Sequence, residues 1–100
     1  MLNTLFKSSM ETQEKINLIT ASLNSLLKEK NKRYGNAALE PLGIFSKLDG
    51  SQGIGVRLDD KLSRIKNSHT LRRNDVADIM GYLVLLCAAN DWIDFSDLID

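Results

Sequence analysis

From Ile79 to Ala89 the chain runs Ile-Met-Gly-Tyr-Leu-Val-Leu-Leu-Cys-Ala-Ala, an apolar stretch broken only by Gly81. A helix that is apolar on every side has to be covered on every side. One hundred residues are a single small domain, with too little chain to wrap such a helix completely. The run therefore predicts a helix over residues 74–90 that is completed by another copy of the chain, a homo-oligomer. It is too short for a bilayer, which needs about 20 consecutive apolar residues. Asn74 is the expected N-cap, with Asp75 well placed in the first turn.

The remaining segments also read as helices. Ile16, Ile19, Leu23, Leu26 and Leu27 recur at three- and four-residue steps, and Ser8 with Glu11 has capping-box spacing. These features predict a helix over 8–34, with Gly35 as its terminator. Pro41 opens a short helical stretch within a loop region over 36–55, and Gly50, Gly53 and Gly55 predict a flexible connector. Leu58, Leu62 and Ile65 mark a helix over 56–67. The tail, 91–100, mixes apolar and acidic residues and reads as a short amphipathic helix or an added interface. There is no convincing strand, so the fold class is an all-α helical bundle.

Thirteen basic residues balance thirteen acidic ones. With no net charge there is no global field to draw the chain onto duplex nucleic acid or an anionic membrane. Cys87 is the single cysteine, which excludes an internal disulfide and any zinc site built on several cysteines. It is expected to pack as a small hydrophobe. No signal-peptide pattern stands at the N-terminus, and the expectation is a soluble, cytoplasmic protein.

The chemistry-bearing residues gather on two successive helices. Asp59, Asp60, Lys61 and Arg64 lie on the first, and Asp75 and Asp78, three apart on one face, lie on the second. Antiparallel packing would bring the four carboxylates together, and oxygen-rich clusters suit Mg²⁺. The same residues also read as a solvated helix face laced with ion pairs. Lys61, Arg64, Lys66, Arg72 and Arg73 surround a turn and suit a phosphate. Tyr34 has two readings, a base-stacking ring or a bundle cap, and His69 reads as an exposed turn residue.

Four stretches carry a resemblance: Asn31-Lys32-Arg33-Tyr34-Gly35-Asn36-Ala37-Ala38-Leu39-Glu40-Pro41-Leu42, Ile44 to Lys47, Val56 to Ile65, and Asp75 to Leu83. They resemble small phage and prophage proteins of the nucleotide-modification-associated, MazG-like kind, related to the all-α nucleotide pyrophosphohydrolases. The resemblance implies a MazG-like helical bundle, obligate oligomers, a nucleotide ligand and Mg²⁺. It implies hydrolysis of nucleoside triphosphates to monophosphate and pyrophosphate by metal-bound water. Asp59, Asp60, Asp75 and Asp78 would hold metal, with Asp60 and Asp78 catalytic. Arg57, Lys61, Arg64, Arg73 and Tyr34 would bind the nucleotide. The first motif of that class, Glu-Glu-x-x-Glu, falls on Asp59, Asp60 and Ser63, and a serine is no substitute for a carboxylate ligand. That departure favours the second reading, a non-catalytic protein that sequesters a nucleotide, such as a phage sponge for an immune nucleotide signal.

Overall fold

The computed structural model describes residues 10–34 and 50–99. Among them there are three α-helices and one short 3₁₀ turn and no strand, so the fold is all-α. The chain divides into two units, Met1–Arg33 and Tyr34–Asp100. The expected capping residue Ser8, the terminator Gly35 and the short helix after Pro41 lie outside the described residues.

Helix α1 spans Thr12–Tyr34. Its 23 residues extend about 35 Å at the usual rise. Glu14 in its first turn and Lys32 and Arg33 in its last complement the helix dipole. Glu29 and Arg33, one turn apart, pair at 3.0 Å on the exposed surface. The apolar stripe falls where the periodicity puts it, and Ile16, Ile19 and Leu26 on it are exposed.

In the second unit, helix α2 (Gly50–Ser68) and helix α3 (Arg73–Ala89) pack against each other. Contacts at both ends fix the direction. Lys61 meets Asp75 and Asp78 near the connecting turn, while Ser51 receives a hydrogen bond from Asn90 at the far end. The pair is an antiparallel αα-hairpin.

Helix α2 starts six residues before the expected 56, so the glycine segment is helix and not a connector. Gly53 and Gly55 each cost such a helix about 1 kcal/mol relative to alanine. Packing overrides that propensity: Ile54, between them, is the most deeply buried large side chain among the described residues, at 1% exposure. From Ile54 onward the α2 side chains withdrawn from solvent are those of Ile54, Leu58, Lys61 and Ile65, at steps of four, three and four. Leu62, expected on the apolar stripe, is instead exposed.

The turn ends α2 at His69, whose φ of 56° is left-handed and whose N–H reaches back to the Ile65 carbonyl at 3.1 Å. Helix α3 begins one residue before Asn74. Its N-cap is Arg72, in extended conformation and without a side-chain cap hydrogen bond. The Arg72 carbonyl accepts the N–H groups of Asp75 and Val76, so Asn74 lies within the first turn. At its other end α3 closes in a Schellman motif. Trp92 N–H bonds the Cys87 carbonyl at 2.9 Å and Asp91 N–H bonds that of Ala88 at 3.3 Å, with Asp91 left-handed at φ 56°.

Helix α3 is not covered on every side within one copy. Val76, Leu83 and Val84 are exposed, and Cys87 is a half-buried free thiol. No described helix is long and apolar enough to cross a membrane. The tail carries the 3₁₀ turn Ser96–Leu98, held by the Asp94 carboxylate, which accepts the Ser96 N–H at 2.9 Å.

Candidate functional site: a lysine between two aspartates

The chemistry at the turn end of the hairpin is set by Lys61. Its place in the 54-58-61-65 row turns it toward α3. Across from it, Asp75 and Asp78 stand one turn apart on α3. The Lys61 ammonium lies 3.0 Å from Asp78 Oδ2 and 3.4 Å from Asp75 Oδ1. Arg72 Nε approaches the other Asp75 oxygen at 3.4 Å. The side chain of Asp75 is 8% exposed and that of Lys61 16%, so the centre of the network is largely withdrawn from water.

A carboxylate so placed persists as an anion only when cations pair with it. Burial pushes the Asp75 carboxyl up. The hydrogen bond from Lys61, together with the charge of Arg72 and its hydrogen bond, outweighs burial and holds Asp75 below the ordinary carboxylate value. Lys61 shifts the opposite way. Its hydrogen bond to Asp78 holds the ammonium above the ordinary lysine value, against the pull of desolvation. Two cations and two anions make the network neutral, and no buried side-chain polar atom among the described residues lacks a partner.

The other site residues expected from the sequence sit elsewhere. Asp60 pairs with Arg64 at 3.0 Å, one turn along α2, and both are exposed. Asp59, Arg57 and Arg73 are exposed, as is His69. Tyr34 is the last residue of α1, and the division between the two units falls just before it, after Arg33. The four aspartates do not gather into one cluster. Among the described residues no three His, Cys, Asp or Glu side chains stand close enough to share a metal ion. The pair that does converge, Asp75 and Asp78, converges on an ammonium. The antiparallel packing expected from the turn is present, but it delivers Lys61 to the interface and leaves Asp59 and Asp60 outside it. In this arrangement Asp75 and Asp78 are engaged by the Lys61 ammonium, and Asp59 and Asp60 stand apart from them.

The basic residues form the outer part of the site. Arg64, Lys66, Arg72 and Arg73 flank the turn and are exposed. The start of α3 beside them carries no side-chain cap, which leaves the N–H groups of Arg73 and Asn74 outside the helix's own ladder. Sequence reasoning assigned Lys61 to a ligand and missed its place in the interface. The signal was available in the four-three-four spacing from Ile54, hidden by the reading of the glycine segment as a connector ahead of the helix.

No protein-family model matches the chain, and no curated protein or solved structure matches it.

Proposed function

We propose that the protein binds the phosphates of a nucleotide at the turn end of the α2–α3 hairpin and does not hydrolyse it. The observation that carries this reading is the placement of Lys61. With its ammonium at 3.0 and 3.4 Å from Asp78 and Asp75, the two carboxylates most suited to a metal are engaged in an internal ion pair. Their part is then to brace the hairpin. Phosphate recognition falls first to the exposed Arg73, with Arg64 and Arg72 joining it by exchanging their carboxylate partners Asp60 and Asp75 for phosphate oxygens, which planar guanidinium groups match in bidentate pairs. The uncapped start of α3 adds N–H donors and a favourable dipole.

The Mg²⁺-dependent pyrophosphohydrolase implied by the family resemblance is the competing reading. It requires Asp59, Asp60, Asp75 and Asp78 to act together on a metal. The test is calorimetric titration with nucleoside triphosphates and cyclic nucleotides, with Mg²⁺ and with chelator. The expected result is binding of equal strength in both, lowered at least tenfold by Arg73→Ala and retained in Asp59→Ala. Binding that vanishes with chelator or with Asp59→Ala would overturn the proposal in favour of the metal site.

A further inference from the structure

The zero net charge conceals a division along the chain. All thirteen lysines and arginines lie at or before Arg73, together with seven of the carboxylates. The 27 residues after Arg73 hold six aspartates and no base. The first part is therefore as strongly positive as the second is negative.

The negative part includes the segment from Asp91 to Ile99, which also carries a dense run of exposed large apolar residues. Trp92, Ile93, Phe95, Leu98 and Ile99 are all exposed, Ile93 and Ile99 at 82%. Single exposed apolar residues need no explanation, but five within eight positions do. The segment is shaped by its own bonds, with the Schellman turn at one end and the Asp94–Ser96 contact in its middle. It is thus a formed surface, apolar and acidic.

Its chemical complement is the second half of α1. There Lys28, Lys30, Lys32 and Arg33 crowd within six residues, with Glu29 among them in sequence and paired with Arg33. On the preceding turn stands Leu26, exposed, with Leu23 and Leu27 half-buried beside it. This helix offers apolar side chains and lysine stems next to cationic heads, the pattern an acidic-apolar segment fits. The basic residues around the hairpin turn fit it less well, because four carboxylates, Asp59, Asp60, Asp75 and Asp78, are interspersed with five bases there, against Glu29 alone among four bases on α1.

We propose that the chain forms a homodimer in which the Asp91–Ile99 tail of each copy docks on the second half of α1 of the other. Each copy carries one donor surface and one acceptor surface. A two-fold pair satisfies both and leaves neither open for further growth.

The test is a reciprocal charge swap read by sedimentation velocity. One variant carries Asp91→Lys and Asp97→Lys, sparing Asp94 because its carboxylate holds the Ser96 N–H. The other carries Lys28→Glu and Lys32→Glu. The native chain is expected to sediment as a dimer at low salt. Each variant alone should dimerise at least tenfold more weakly, with unchanged helical circular dichroism, and an equimolar mixture should restore the dimer. Trp92→Ser should also dissociate the dimer, without rescue by the mixture. A native chain that stays monomeric overturns the proposal, as does a dimer indifferent to both swaps. Loss that mixing fails to repair overturns it as well, since the swap would then have broken something other than this contact.

Discussion

Gly53 and Gly55 lie inside α2, and an alanine methyl built at either meets no atom within 4 Å. Replacing both with alanine should therefore stabilise the protein. A glycine in a helix interior costs about 0.8–1 kcal/mol relative to alanine, because the unfolded chain loses more freedom on folding. No steric term offsets that gain here. Gly53 lies near the helix start, where the full value is not realised, so the pair should contribute about 1.5 kcal/mol. For a domain of this size that raises the melting temperature by about 6–12 °C. The assay is thermal unfolding followed at 222 nm, with hydrogen exchange at residues 53–55 as a second readout. An unchanged or lowered melting temperature would refute the reasoning. It would mean that residues 50–55 are not helical in solution, or that their open side is covered by a partner surface.

Other substitutions probe the same hairpin. Ile54→Ala removes the most buried side chain described and should cost about 2–5 kcal/mol, enough to lose the cooperative melt of so small a core. Asp91→Gly places the preferred residue at a left-handed helix terminus and removes a carboxylate from the negative end of α3. A gain of about 0.5–1 kcal/mol in chemical denaturation is expected. Stability should also depend on pH at both extremes. Asp75 is held below its ordinary value, so its contribution is present above the unfolded carboxylate pKa and lost as pH falls through the folded one. Lys61 is held above its ordinary value, so its contribution is present below the unfolded lysine pKa and lost as pH rises through the folded one. Melting temperature should therefore fall below about pH 4 and above about pH 10. Asp75→Asn should flatten the acid limb of that profile, and an acid limb unchanged in the variant would count against the ion-pair account.

The helices were legible in the sequence where a single local rule governs them. The stripe from Ile16 to Leu27 specifies α1 by periodicity alone, and the exposure of His69 follows from its place in a turn. The start of α2 was not legible, because Gly53 and Gly55 speak against helix locally while Ile54, packed in the hairpin, decides for it. That one displacement carried the site with it. Without Ile54 the stripe reads as Leu58, Leu62 and Ile65, with Lys61 as a flanking polar residue. Adding Ile54 moves the centre of the stripe toward Lys61 and away from Leu62, which is exposed. The approach of the two helices across the turn was foreseen, and it brings Lys61, Asp75 and Asp78 together. Whether a carboxylate pair closes on a metal or on an ammonium depends on helix rotation, and composition and spacing did not set that angle. The start of α3 shows the same limit, since Asn74 has the chemistry of an N-cap but the chain places Arg72 there.

The account turns on whether Asp75 and Asp78 serve an internal lysine or a catalytic metal. The most direct measurement is to incubate the full chain with nucleoside triphosphates and Mg²⁺, denature it, and identify the nucleotide by mass spectrometry beside a chelated control. The account predicts intact triphosphate in both samples, at equal recovery. Monophosphate and pyrophosphate formed only with Mg²⁺, and lost in Asp78→Ala, would contradict it.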